Sequence, residues 1–247
     1  MAEFFRGQVD YIYFFCGLAL VILAAVCFTP QKTCKRNLPW KWLLLFGLSQ
    51  GLYEWLKLLA VSFGDSPFQE AVRSGFAIAS FLFLTEFGRA GVVTVWGKGP
   101  GRWVFAPFLL LAALGVVAGN MELEAAVRYS LGLTGGLLTF LTLIAAGKLF
   151  RNKLLKAAGV ALGLYSFLTV FVISPAPFLP ACIINQELFF HNFYIPVDLV
   201  RGILAIWAAI HIWAFLRISP ESGVSPAERN IRKNTMVIIA IILVVIM

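Results

Sequence analysis

Long, continuously apolar segments, separated by short polar ones, limit the folds that are open to this chain. The first of them, Tyr11 to Phe28, contains no charged residue. A helix rises 1.5 Å per residue, so about 20 residues cross the hydrocarbon layer of a bilayer, which is about 30 Å thick. The apolar residues are continuous rather than alternating, which argues against a membrane β-barrel. These segments therefore predict membrane-spanning α-helices.

We predict an all-α, polytopic membrane helix bundle in which residues 1–217 form a domain with seven full spans. A basic linker, residues 218–234, then leads to an apolar stretch of thirteen residues, 235–247. Thirteen residues cover only about 20 Å as a helix, so we expect this stretch to be the start of an eighth span. The seven predicted spans are Tyr11–Phe28, Trp40–Phe63, Phe68–Phe87, Trp103–Ala118, Ala125–Ala146, Leu155–Ile173 and Phe193–Leu216.

The composition supports this class of protein and excludes others. Hydrophobic residues make up 60% of the chain and charged residues only 13%, which is far more apolar than a soluble domain. The net charge of +8 is gathered in short loops rather than in a basic domain, so we expect no nucleic acid partner. The amino terminus lacks the pattern of a cleaved signal peptide. The lipid bilayer is therefore the expected environment of the whole chain.

The distribution of basic residues predicts the orientation. Short cytoplasmic loops of membrane proteins are enriched in Lys and Arg. If the amino terminus is outside, the cytoplasmic segments hold fifteen of the twenty basic residues, and the acidic residues lie mostly toward the outer side. We therefore predict that the amino terminus is outside.

Two charged residues inside the second predicted span need a physical explanation. Glu54 and Lys57 lie in its second half, where an uncompensated charge costs at least about 2.5–3.5 kcal/mol. Lys57 could extend to the headgroups while Glu54 pairs with it at i,i+3, which would be only local electrostatics. Alternatively, the two side chains belong to a polar site that binds or senses something.

Other charged residues are predicted at the same depth. They are Arg73 on the third span, Arg128 on the fifth, and Asp198 with Arg201 on the seventh. Pairing within single helices is one interpretation, because Asp198 and Arg201 are i,i+3 neighbours. The other is a polar layer that faces a cavity between spans and takes a small-molecule ligand from the outer side.

Within that layer we predict contacts between the second and seventh spans. Each of these spans carries one acid and one base at i,i+3. Pairing Glu54 with Arg201 and Lys57 with Asp198 would leave no charge facing lipid. Glu54 with Arg201 is the preferred contact, because the planar guanidinium of Arg can bind both carboxylate oxygens.

Catalytic and metal-binding patterns are missing from the sequence. The four cysteines have no CxxC spacing, and His191 and His211 are twenty residues apart on one predicted segment. No phosphate-binding loop, nucleophile motif or zinc motif occurs. We expect no cofactor and no metal, and we expect any enzymatic output to come from residues beyond position 247.

Three stretches resemble a known group of proteins. They are LPWKWLLLFGLSQGLYEWLKLLAVSFGDSPFQEAVR, FLFLTEFGRAG and SPAPFLPACIINQELFFHNFYIPVDLVRGILAIWAAIHIW. Together they resemble the amino-terminal membrane region of bacterial multi-domain signalling proteins, mainly sensor histidine kinases and diguanylate cyclases, over roughly residues 9 to 247. The resemblance implies a seven-helix sensory unit that is followed by another span, a sensor module and output domains.

Three classes of function stay open at this point. The resemblance favours a sensory and signal-transmitting membrane domain. A small transporter would use the same charges as a gate, although no inverted repeat is evident. A structural subunit of a larger complex would use its small-residue faces for docking. Pairs such as Gly47 with Gly51 and Gly75 with Ala79 allow close helix packing, either within one chain or in a homodimer.

Overall fold

The computed structural model describes residues 5, 7–28, 38–106, 120–173 and 181–218 of the 247-residue chain. Within these ranges the regular secondary structure is entirely helical, as predicted. Short 3₁₀ turns occur at Arg102–Val104 and Val170–Val172, and a π-helical turn at Arg128–Gly132. The α-helices are α1 (Val9–Phe28), α2 (Trp40–Phe63), α3 (Pro67–Trp96), α4 (Asn120–Val127), α5 (Leu133–Leu149), α6 (Lys153–Thr169), α7 (Gln186–Phe193) and α8 (Val197–Ile218).

Five helical segments among the described residues are long and apolar enough to cross a membrane. They indicate a multi-pass membrane protein. Helix α2 is also long enough, at 24 residues, but Gln50, Glu54 and Lys57 lower its mean hydropathy. The five segments are Val9–Phe28, Pro67–Trp96, Leu123–Leu149, Lys153–Val172 and Val197–Arg217.

Two predicted spans are not covered by the described residues. Most of Trp103–Ala118 and all of the stretch 235–247 lie outside them. The claim of seven full spans, with the start of an eighth, therefore stays a prediction.

Two predicted helix boundaries differ from the structure. The third predicted span ended at Phe87, but α3 continues to Trp96 and stops at Gly97, whose φ of 73° lies in the left-handed region. The seventh was predicted to begin at Phe193, but that residue ends α7, and Tyr194 breaks the helix with a φ of 56°. The apolar character continues through both boundaries, so hydropathy alone did not reveal them.

Six of the helices form a closed ring. Helix α1 packs against α2 and α8, α2 against α3, α3 against α5, α5 against α6, and α6 against α8. Helices α2 and α8 are thus both neighbours of α1 and face each other across the ring interior. Long side chains from either helix can meet there.

Glycines bring α1 and α2 very close together. A side chain at Gly47 would place its Cβ 2.7 Å from the carbonyl oxygen of Leu20, and one at Gly51 would meet the carbonyl of Gly17 at 3.0 Å. The predicted packing role of Gly47 and Gly51 within one chain is confirmed. Gly75 has no atom of another residue within 4 Å of such a Cβ, so it makes no comparable contact within the chain.

The ring interior has two distinct halves. Toward the amino-terminal end of α2 lie the aromatic rings of Trp40, Phe87, Phe150 and Phe215, with ring centroids 5.9 to 6.4 Å apart. We call this region the aromatic half. Toward the other end of α2 the buried residues become polar, and we call that region the polar half. Phe46 lies between them and packs edge-on against Tyr165, with ring centroids 5.9 Å apart.

Candidate functional site

Four charged side chains meet in the polar half and form what we call the charged cluster: Glu54, Lys57, Asp198 and Arg201. Arg201 donates from Nη1 to Glu54 Oε1 at 3.1 Å and to Asp198 Oδ1 at 2.7 Å. Lys57 donates from Nζ to Glu54 Oε2 at 3.1 Å and to Asp198 Oδ2 at 3.3 Å. Each base therefore bridges both acids.

The contacts that the sequence predicted between α2 and α8 are confirmed. Both cross-pairs, Glu54 with Arg201 and Lys57 with Asp198, are present together with both i,i+3 pairs. The predicted fork geometry is wrong, because Arg201 offers only Nη1 to Glu54. Its Nη2 donates instead to the hydroxyl of Tyr165 on α6 at 2.7 Å. The guanidinium therefore joins three elements of the ring interior rather than two.

The charged cluster is almost completely buried. Glu54 and Arg201 have no exposed side-chain surface, Asp198 has 1%, and Lys57 has 13%. With all four groups ionised the cluster carries no net charge. Removing one partner from such a buried group typically costs about 3–5 kcal/mol, since the remaining charge is left uncompensated. The four side chains are therefore energetically dependent on one another.

Neutral polar groups complete the cluster on the α3 side. The amide of Gln50 donates to Glu54 Oε1 at 3.4 Å, and the hydroxyl of Ser80 donates to Gln50 Oε1 at 2.6 Å. Both residues are fully buried. Glu54 therefore receives hydrogen bonds from α2 and α8 and is linked through Gln50 to α3.

A second group joins the buried residues Tyr53 and Arg128 to the partly exposed Glu124, and we call it the Arg128 group. Arg128 donates to Glu124 Oε1 from Nε at 3.0 Å and from Nη2 at 2.7 Å. Its Nη2 also lies 2.6 Å from the hydroxyl of Tyr53, which donates to the same Glu124 oxygen at 2.7 Å. Glu124 and Arg128 are i,i+4 neighbours, and Tyr53 links this pair to α2.

The backbone around Arg128 departs from regular α-helix. Arg128 opens the π-helical turn that ends at Gly132, between α4 and α5. Such turns are frequent at functional sites. A π-helical turn contains one residue more than an α-helical turn, so it rotates the side chains on one side of it relative to those on the other. Here the turn coincides with a fully buried guanidinium. The five-residue irregularity leaves no signal in hydropathy.

Among the described residues, three buried polar atoms have no hydrogen-bond partner: Arg128 Nη1, Arg201 Nε and Ser166 Oγ. The two guanidinium groups lie close enough for their charges to interact. Buried donors of this kind cost about 1–3 kcal/mol each when they remain unsatisfied. The polar half therefore holds more donors than the acceptors of the chain satisfy.

Arg73 lies apart from these contacts. Its Nη2 forms an ion pair with Asp65 Oδ2 at 2.7 Å, near the beginning of α3, where 38% of the Asp65 side chain is exposed. Of the six predicted site residues, the structure brings Glu54, Lys57, Asp198 and Arg201 together and places Arg128 in the neighbouring group. Whether any of them binds or senses a ligand stays a prediction.

A cavity of about 1180 Å³ borders the charged cluster at its α8 side. Asp198 and Tyr13 are among its lining residues. The Lys57 ammonium lies 4.0 Å from the centre of the Tyr13 ring and 3.3 Å from Asp198 Oδ2. Tyr13 and Asp198 therefore line the cavity and also contact Lys57 of the cluster. Among the described residues, no three His, Cys, Asp or Glu side chains form a group that could hold a metal ion.

Sequence reasoning missed several members of the polar half. They are Tyr13, Gln50, Tyr53, Ser80, Tyr165 and Ser166. Gln50 and Tyr53 could have been found, because they lie four residues and one residue before Glu54. Tyr165 and Ser80 lie on helices without a buried charge beside them, so their sequence surroundings carry no comparable signal.

Comparisons with known proteins give no match for this chain: no family model, no curated protein and no solved structure matches it.

Proposed function

We propose that this chain is the membrane-embedded sensory and signal-transmitting region of a bacterial receptor of the histidine kinase or diguanylate cyclase type. The resemblance of its aromatic-rich helices to such regions motivates the proposal. The charged cluster supports it physically, since membrane-embedded charges that face a bundle interior commonly mark functional sites.

The proposal includes the finer topology. The chain has seven full spans and the start of an eighth, with the amino terminus outside the bacterial inner membrane. Loop charge supports this orientation, because it places fifteen of the twenty basic residues in the cytoplasm. The polar half then faces outward and the aromatic half faces the cytoplasm.

One observation carries the proposed mechanism: the charged cluster joins α2 to α8 across the ring interior. Helix α8 is followed by the basic linker, residues 218–234. A stimulus that separates Lys57 from Asp198, or Glu54 from Arg201, changes how α8 is held and so reaches the linker. A stimulus can shift such an equilibrium only by the difference in its affinity for the two arrangements.

Distance measurements between the cytoplasmic ends of α2 and α8 test this mechanism. Lys41 and Arg217 are exposed and can be replaced by spin-labelled cysteines in lipid nanodiscs, with Cys34 and Cys182 changed to Ser. We expect Glu54→Gln to alter the distance distribution. The matched control is Glu86→Gln, which removes a carboxylate paired only with Arg89 on the same helix. Equal distributions for Glu54→Gln and the control would contradict the mechanism.

The coding region provides a second test of the proposed class. We expect a kinase or cyclase domain in the same reading frame downstream of codon 247. A stop codon directly after it would instead favour a structural subunit. Solute uptake by proteoliposomes that contain only this chain would favour a transporter.

The orientation is tested by impermeant thiol labelling of intact cells. Cys182 is exposed in the structure, and Cys34 is predicted to lie in a cytoplasmic loop outside the described residues. We expect Cys182 to be labelled in intact cells and Cys34 only after permeabilisation. The reverse pattern would overturn the predicted orientation.

A further inference from the structure

The cavity beside the charged cluster has the chemistry of a cation site. It lies between the amino-terminal end of α1, helix α7 and the beginning of α8. The acids Glu187 and Asp198 line it together with His191, and neither Lys nor Arg is among the described residues that line it. The carboxylates therefore offer opposite charge to a positively charged ligand at this surface.

Aromatic and aliphatic side chains form most of the remaining wall. Tyr13, Phe190 and Tyr194 present rings to the cavity, and Val9 and Leu188 add aliphatic surface. Aromatic faces attract organic ammonium groups, and an apolar wall removes the body of a ligand from water. An inorganic cation could use the two carboxylates but not the apolar surface, so this lining favours an organic cation.

Asp198 connects the cavity to the interior. Its side chain is only 1% exposed, and its two oxygens are bound by Arg201 and Lys57. A carboxylate can accept about four hydrogen bonds, so acceptor capacity remains for a ligand in the cavity. At 3.3 Å, the contact with Lys57 is the longer of the two ion pairs of Asp198. That contact is the one that a second ammonium can most easily replace.

We propose that this cavity binds an organic ammonium ion with an apolar body, such as an arylalkylamine, from the outer side. The proposal deepens the sensory function and rests on it for its biological meaning. The ligand ammonium competes with Lys57 for Asp198 Oδ2, while Glu187 supplies compensating negative charge at the cavity wall. Lys57 then keeps only Glu54 on its own helix, and the α2–α8 connection is weakened.

Binding is tested on the purified chain in lipid nanodiscs by isothermal titration calorimetry. The probe is 2-phenylethylamine, with 3-phenylpropionate and 2-phenylethanol as an anionic and a neutral probe of similar size. We expect the amine to bind and the anion to show no binding, with the alcohol weaker than the amine. Binding of the anion at least as tight as that of the amine, or no binding of the amine, would overturn the proposal.

Two substitutions locate the site. Glu187→Gln should weaken amine binding about two- to fivefold, the range for a solvent-accessible ion pair. The matched control is Glu70→Gln, because Glu70 is also in the first turn of a helix but does not line the cavity. Equal affinities of the two variants would place the amine elsewhere.

Lys57→Gln separates competition from a merely structural role. Removing the competing ammonium should tighten amine binding, whereas a damaged cavity would weaken it. Near-UV circular dichroism and a single peak in size-exclusion chromatography check that this variant is folded. A folded variant with unchanged or weaker amine binding would contradict the proposed competition between the amine and Lys57 for Asp198.

The distance measurement at the ends of α2 and α8 distinguishes the two proposals. Amine binding that leaves these distances unchanged would support the site and refute the signalling mechanism. If the chain binds no amine but the distances respond to Glu54→Gln, the signalling mechanism is supported and the amine site is refuted.

Discussion

The two halves of the ring interior are built from the same helices but held together by different forces. Helix α2 buries Trp40 and Phe46 in or next to the aromatic half, and Gln50 and Glu54 in the polar half. The hydrophobic effect that holds the aromatic half together is non-directional. Buried ion pairs are directional, and each charge needs its partner. The aromatic half therefore supplies cohesion, while the polar half fixes one particular arrangement of α2 and α8.

The largest expected effect comes from removing the cation that three elements share. Arg201→Gln leaves Glu54 and Asp198 with Lys57 as their only basic partner and should lower the free energy of unfolding by about 3–5 kcal/mol. Reversible unfolding in lipid bicelles measures this. The control is Arg217→Gln on the same helix, at an exposed position, for which we expect less than about 1 kcal/mol. Similar losses for the two variants would mean that the cluster contributes only surface electrostatics.

The next effect is the coupling within the polar half. In a double-mutant cycle, Glu54→Gln and Arg201→Gln together should cost less than the sum of the single changes, by about 1–3 kcal/mol. The reason is that each single change strands a buried charge and the double change removes both. Strict additivity would reduce the cluster to two independent pairs, each within one helix.

A double-mutant cycle between a residue of the aromatic half and a residue of the polar half should show no coupling energy. Trp40 contacts Phe215, which lies fourteen residues, or about 21 Å of helix, from Arg201. The losses caused by Trp40→Ala and Arg201→Gln should therefore add to within about 0.5 kcal/mol. A larger coupling would show that the two halves respond as one unit.

The last prediction concerns a single hydroxyl in the polar half. Tyr165→Phe removes the acceptor of Arg201 Nη2 and should cost about 1.5–3 kcal/mol, because the lost hydrogen bond involves a charged donor. The same change at Tyr129, whose hydroxyl donates to the carbonyl of Ile184 near the surface, should cost only about 0.5–1.5 kcal/mol. Equal losses would indicate that Arg201 finds another acceptor in the variant.

Depth and charge were sufficient to predict the centre of the polar half. Glu54 and Arg201 lie at matching depths on spans that run in opposite directions, and an unpaired charge at that depth is costly, so their contact followed from energetics alone. Spacing alone is likewise sufficient to expect the ion pair of Glu86 and Arg89, which are i,i+3 neighbours on α3 and lie 2.6 Å apart.

The neighbours of these charges could not be predicted, because they depend on the order of helices around the ring. Tyr165 accepts a hydrogen bond from Arg201 because α6 packs against α8. No local sequence pattern predicts which helices pack against each other. The π-helical turn at Arg128 and the break at Tyr194 are backbone events within apolar sequence. Hydropathy averages over such positions, so it locates spans better than it locates their ends.

The order in which the chain is synthesised gives the paired charges a further role. Glu54 and Arg201 are 147 positions apart in the sequence. At a synthesis rate of about 5–20 residues per second, α8 is therefore made about 7–30 s after α2. During that interval the Lys57 ammonium, which lies 3.1 Å from Glu54 on the same helix, is available to neutralise the Glu54 carboxylate. The i,i+3 pair thus gives Glu54 a countercharge before α8 exists, and the later arrival of Asp198 and Arg201 adds the connection between α2 and α8.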